Sequence, residues 1–181
     1  MGEVFRYVAD EALEDCGSGE CQHCQSNDKP IYSYLGTIKD PKLAANLDFA
    51  LKNPDVYELC ADCIQGGNVE NGEVDKVAET IKRSARDSEY SWREVHKIPS
   101  VPSFVQGFDW PMCCGEWCEF LGNPASMTEL FSIQEISQLW DVWSDGFARD
   151  FKECGKPESF LDVSKFVCHC CRKNYYIDQY T

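Results

Sequence analysis

Cys113-Cys114-Gly115-Glu116-Trp117-Cys118-Glu119-Phe120-Leu121-Gly122 places three cysteines within six residues, set among aromatics and closed by a glycine. On its own this stretch supplies half of a metal site. The other half stands near the C-terminus as Cys168-His169-Cys170-Cys171, and two CxxC turns, Cys21-Gln-His-Cys24 and Cys60-Ala-Asp-Cys63, lie well before it. A structural zinc ion takes four tetrahedral ligands, and a CxxC turn presents two sulfurs to one ion. Cys21, Cys24, Cys60 and Cys63 therefore read as one closed four-cysteine site. The 35 residues between its two halves hold a strand, a helix and a strand. The second site takes Cys114 and Cys118 from the central stretch and Cys168 and Cys171 from the end. Cys113 and Cys170 compete for a place in it, and His169 is a possible substitute. Two structural zinc ions are the cofactors this pattern implies, since four protein ligands leave no open position of the kind a catalytic zinc requires.

The surroundings fit an α+β chain of two small lobes, residues 1–98 and 99–181, each stapled by one site, with short strands and one long amphipathic helix. Strands are expected at 3–8, 31–36, 56–59, 165–168 and 174–179. Pro41 suits the first turn of a helix running to about residue 53. The glycine-rich segment 65–73 reads as a loop, and 75–91 as a polar helix with Val77 and Ile81 as its apolar stripe. Pro99, Pro102 and Pro111 mark an irregular passage holding Phe104, Phe108 and Trp110, the expected hinge. Beyond it Ile133, Ile136, Trp140, Trp143, Phe147 and Phe151 recur at three- and four-residue steps, predicting a helix over 128–154 with an aromatic core face.

The chain has 181 residues, 17 basic and 31 acidic, for a net charge of −14. Eight thiolates on two divalent ions would carry it to about −18. Such a field repels phosphate backbones, which argues against nucleic acid, and it steers basic partners inward. The acidic runs Asp10, Glu11, Glu14, Asp15 and Glu70, Glu73, Asp75 are the candidate contacts for such a partner. No secretory signal and no run long enough to span a membrane is visible, and CxxC spacing outside secreted proteins points to metal, so a cytoplasmic protein is expected. Only His23, His96 and His169 are available as bases, and two of them lie inside cysteine turns. The H-x-E with P-C-x-x-C pattern of zinc deaminases is absent. No catalytic constellation emerges, and a non-enzyme is expected.

Longer elements also recur in a known order. Phe5 and Tyr7 precede Cys21 and Cys24; Tyr32 and Tyr34 follow; then comes Leu59-Cys60-Ala-Asp-Cys63-Ile64. Trp110 leads to Cys114-Gly-Glu-Trp-Cys118-Glu-Phe-Leu-Gly122, and Phe166, Cys168, Cys171 and Asp178 close the series. This order resembles the CbrC-like family of small bacterial proteins, named for a link to colicin tolerance. Members commonly carry histidine where Cys113 stands, which favours Cys114 as the ligand, and residues 71–97 fall outside the likeness. The resemblance implies a bacterial cytosolic protein with two zinc knuckles. With the acidity, it suggests an immunity-type protein that neutralises a basic nuclease-like toxin domain; a zinc-ribbon adaptor binding another cellular protein in a stress response is the alternative.

Overall fold

The computed structural model describes residues 1–14, 16–17, 19–39, 55–72, 74, 77–101, 108–126, 128–129 and 159–178. Within them the chain is mixed α+β, built on small antiparallel sheets. The first sheet has the order β2-β1-β3, with β1 at Ile31–Ile38, β2 at Asp55–Cys60 and β3 at Val69–Asn71. The second is a hairpin of β4, Met112–Cys113, and β5, Glu116–Trp117. The third runs β6-β7-β8, with β6 at Glu119–Phe120, β7 at Val163–Val167 and β8 at Asn174–Asp178. The helices are α1, Ala61–Gln65, which joins β2 to β3, and α2, Val77–Ser84, and α3, Ser88–Val95, which lie in the chain between β3 and β4.

β1 is the centre of the first sheet, and its bulge sets its neighbours. The register with β2 slips between Ser33 and Gly36. There the Leu35 N–H donates to Ser100 Oγ (2.8 Å) and the Ser33 carbonyl accepts from the Ser100 N–H (2.9 Å), so 96–100 is tied across the strand. Gly36 lies so close to β3 that a Cβ there would stand 2.2 Å from the Glu70 carbonyl oxygen, which only glycine avoids. His96 locks the same corner: its Nδ1 accepts the Asn71 N–H (3.2 Å), and its carbonyl accepts the Tyr34 hydroxyl (2.8 Å).

Buried apolar residues from both sides of position 98 form one cluster. Phe108 stacks on Trp110 at 5.5 Å, and Trp110 meets Phe166 edge-on at 5.1 Å, joining the hairpin to the third sheet. Such aromatic pairs add about 0.5–1.5 kcal/mol each beyond their area burial. Residues 7–9 cross to this end of the molecule as well. The Tyr7 carbonyl accepts the Phe120 N–H (2.8 Å) and the Ala9 N–H donates to the Phe120 carbonyl (2.9 Å).

Several expectations are corrected here. Residues 3–8 form no continuous strand. Phe5 and Val8 face each other across a turn, and the Asp10 carboxylate ties that turn down by accepting the N–H groups of Glu3 and Val4 at 3.0–3.2 Å. The loop expected over 65–73 carries β3, paired to the far end of β1. The single polar helix becomes two, α2 and α3, interrupted at 85–87. Arg86 leaves the helix there to donate its N–H to the Gly115 carbonyl (3.0 Å), and Asp87 restarts it by accepting the Tyr90 N–H (2.9 Å). The helices expected over 41–53 and 128–154 lie outside the described residues, apart from Thr128 and Glu129, as do Pro102 and Phe104. Ser126 and Glu129 tie the chain there. The Ser126 hydroxyl accepts the Glu129 N–H (3.1 Å), while Glu129 accepts the Ala125 N–H (2.7 Å) and pairs with Lys165 of β7 (2.5 Å). Among the described residues no helix is long and apolar enough to cross a membrane.

The cap at Asp87 gives a direct test of the helix break. Asp87→Ala removes the acceptor at the start of α3 and is expected to cost about 1 kcal/mol of stability in urea unfolding. An unchanged midpoint would mean that the Arg86 contacts alone hold the break.

Candidate metal centres

Two groups of four cysteines converge: Cys21, Cys24, Cys60, Cys63, and Cys113, Cys114, Cys168, Cys171. In each, all four sulfurs lie within 4.8 Å of one another.

The first group is assembled by the β1–β2 pairing. Ile31, at the start of the strand leaving the first CxxC turn, pairs with Cys60, at the end of the strand entering the second. The first turn closes tightly: the Gln25 N–H donates to the Cys21 carbonyl (2.8 Å), with Gln25 at φ +58°. Cys60 ends β2 and caps α1, which carries Cys63. The Cys60 N–H points at the Cys21 sulfur (3.3 Å), and His23 Nδ1 stands 3.1 Å from the Cys63 sulfur. Read as an N–H donor, His23 holds that thiolate in place from outside the ligand set.

The C-terminal turn repeats the same device. The Arg172 N–H donates to the Cys168 carbonyl (2.9 Å), with Arg172 at φ +61°. Its partners Cys113 and Cys114 come from the tip of the β4–β5 hairpin. Cys113 pairs with Glu116, leaving a two-residue loop, Cys114-Gly115, at φ +54° and +86°. Positive φ at both positions is the signature of a type I′ turn. Arg86 braces the loop by donating its side chain to the Cys114 carbonyl (3.2 Å).

Sulfur spacing decides what these clusters can do. Cys24 and Cys60 stand 3.8 Å apart, Cys113 and Cys114 3.8 Å, and Cys113 and Cys171 3.6 Å. A disulfide needs ~2.05 Å. A tetrahedron with metal–sulfur bonds of ~2.3 Å has edges of ~3.8 Å. The distances match the tetrahedron, so both donor sets fit a four-coordinate metal ion. Protonation follows the same logic. Burial by itself would raise the Cys21 thiol, but N–H groups of Cys24, Cys60 and His23 bring it down to about 7. In the second cluster the Lys173 N–H lowers Cys171 to about 7. Their neighbours go the other way. Burial pushes up Cys60, Cys63 and Cys113, and hydrogen bonding to Cys171, Cys113 and Cys168 pushes up Cys114. Four thiolates this close repel one another, and a divalent cation removes that penalty.

The structure brings together seven of the eight cysteines proposed from sequence, with Cys113 in the fourth place of the second cluster rather than Cys118. The I′ turn reverses the chain directly after Cys114. Cys118 then lies beyond β5, where its N–H donates to the Pro111 carbonyl (2.9 Å) and its carbonyl accepts the Trp110 indole N–H (2.7 Å). Its thiol is fully buried, and burial pushes it up. His169 and Cys170 stand outside the cluster, His169 with its Nε2 3.5 Å from Glu119. Of the acidic candidates, Asp10 braces the amino-terminal turn and Glu70 pairs with Lys39. Glu11 and Glu14 are exposed, while Asp15, Glu73 and Asp75 lie outside the described residues. His23 and Arg86 were missed from sequence, although a two-residue loop ending in glycine signals the turn that Arg86 braces.

Two substitutions test this arrangement. Cys113→Ser is expected to reduce bound metal from two ions per chain to one, whereas Cys118→Ser leaves two, by elemental analysis. The reverse pattern would restore Cys118 as the ligand. At Gly115 an added Cβ would stand 2.6 Å from Arg86 Cβ and 3.0 Å from its backbone nitrogen. Gly115→Ala, combining that clash with a positive φ, should cost more than about 1–2 kcal/mol in denaturant unfolding. Comparison of the chain with protein-family models, curated proteins and solved structures returns no match.

Proposed function

We propose that this chain is a zinc-stapled, non-catalytic protein that binds and neutralises a basic toxin domain, an immunity-type role. The observation that carries the reading is the pair of closed four-sulfur clusters in a strongly acidic chain. With four protein ligands each, the proposed ions have no open position for substrate or an activated water. Zinc is favoured because it is the common occupant of all-cysteine tetrahedral sites, with iron the competitor for the same geometry. The ions then stabilise, and the surface does the work.

That surface carries the right chemistry for a basic partner. Glu11 and Glu14 are exposed, and β2 lies at the edge of its sheet with Asp55, Tyr57 and Glu58 exposed. Tyr57 is 56% exposed, an amphipathic ring between two carboxylates. Aromatic anchors flanked by charge recur at interfaces, where the aromatic supplies affinity and the charges supply steering. The likeness of the cysteine elements to the CbrC-like family supports the same reading, and a cytoplasmic location belongs to it.

Binding to a panel of colicin-type nuclease domains tests the proposal by calorimetry and size-exclusion chromatography. A one-to-one complex is expected, weakening as salt rises because exposed charges are screened. Glu11→Lys with Glu14→Lys, and separately Tyr57→Ala, should each weaken it at least tenfold while two zinc ions remain bound. No complex with any basic nuclease domain would overturn the immunity role and move the reading to an adaptor for a cellular protein. Iron in place of zinc, shown by visible absorption and elemental analysis, would overturn the purely structural role of the metals.

A further inference from the structure

The two clusters have the same ligands but very different exposure. In the first, Cys21, Cys60 and Cys63 are buried and only Cys24 is exposed. In the second only Cys168 is buried, Cys113 is half-buried, and Cys114 and Cys171 are exposed. The Lys173 N–H is directed at the Cys171 sulfur, and Arg86 holds the Cys114 carbonyl (3.2 Å), so both exposed sulfurs sit on braced backbone. Solvent-accessible thiolates are the ones that oxidants reach, whereas buried structural cysteines are inert.

We infer that the second cluster is a site of reversible oxidation, at which a peroxide joins Cys113 to Cys171 and expels the metal. This rests on the metal reading proposed above. The pair follows from geometry. Their sulfurs are 3.6 Å apart, so a closure of about 1.5 Å reaches disulfide length. Cys113 and Cys114 are nearly as close, at 3.8 Å. Being adjacent in sequence, however, their Cα atoms stand ~3.8 Å apart, short of the ~4.4–6.8 Å that a relaxed disulfide spans.

The chemistry balances with the peroxide as oxidant. The exposed Cys171 thiolate attacks one peroxide oxygen, the O–O bond breaks, hydroxide leaves, and Cys171 becomes a sulfenic acid. The Cys113 thiolate then attacks that sulfur, the S–O bond breaks, and a second hydroxide leaves. Two thiolates have lost two electrons and the peroxide has gained them. Only Cys114 and Cys168 remain as ligands, and a two-thiolate site cannot hold its ion against solvent and chelator. The first cluster keeps its ion because three of its sulfurs are shielded.

The test uses the full-length chain. Metal is counted by elemental analysis, hydrogen peroxide is added, release is followed with a chromogenic chelator, and cross-links are mapped by mass spectrometry of unreduced peptides. The expected result is two ions before oxidation, one after, and a Cys113–Cys171 cross-link that a dithiol and added zinc reverse. Two ions both before and after, or both lost together, overturns the oxidation site and leaves the metal reading standing. Fewer than two before peroxide overturns both. Cys170→Ser should release its ion at the unmodified rate; loss of release in that variant would make Cys170 the reacting thiol and overturn the assigned pair.

Discussion

Mutual repulsion among sulfurs held 3.6–3.8 Å apart is the constraint on which this structure depends. The chain brings four cysteines to each of two points and aims backbone N–H groups at one sulfur of each set, which lowers Cys21 and Cys171 to about 7 while Cys60, Cys63, Cys113 and Cys114 are pushed up. An arrangement of that kind is unfavourable without a cation and strongly favourable with one. Structural zinc contributes about 10–16 kcal/mol of apparent binding free energy in small zinc domains. Whole domains are stable by only about 5–15 kcal/mol. With the proposed ions in place, most of the net stability would therefore run through eight sulfurs.

The regular structure is arranged to serve that convergence. Three of the strands in the two C-terminal sheets are two residues long, too short to specify a register on their own. They are fixed from outside: by the aromatic cluster around Trp110, by residues 7–9 pairing alongside β6, and by Arg86 gripping the Cys114-Gly115 turn. That grip explains why one polar stretch becomes two helices. Continuing α2 would carry Arg86 away from the hairpin, so the helix stops and Asp87 begins another.

Much of the metal chemistry was legible in the sequence because spacing encodes it. CxxC turns present paired sulfurs whatever surrounds them, and the first cluster needed only the two strands that join its halves. The second was half legible. CxxxC between Cys114 and Cys118 looks like a ligand pair if the segment is a single turn, but Cys114-Gly115 forms a two-residue hairpin loop that makes Cys113 its neighbour in space and sends Cys118 into the core. The glycine was the signal, and it outranks the cysteine count because turn type fixes side-chain direction. The helix break was invisible for a different reason: its cause lies 28 residues away, at Cys114, and periodicity reports only local preference. The turn at residues 5–8 is a third case, since its alternating apolar residues suit a strand until Asp10 folds the chain back.

The same architecture bears on how a strongly acidic chain holds together. Like charges spread over a chain of net charge −14 oppose compaction. The buried apolar cluster offsets part of that repulsion. Metal ions held in the two clusters would add stabilising free energy at two points beside the apolar cluster, while Tyr57 stays exposed at a sheet edge. They also divide stability unequally. The shielded first cluster is the fixed anchor, whereas the second, with exposed sulfurs at a hairpin tip, is reachable from solvent. At that tip the exposed Arg86 side chain holds the Cys114 carbonyl, so the accessible sulfurs sit on a turn braced from α2's end.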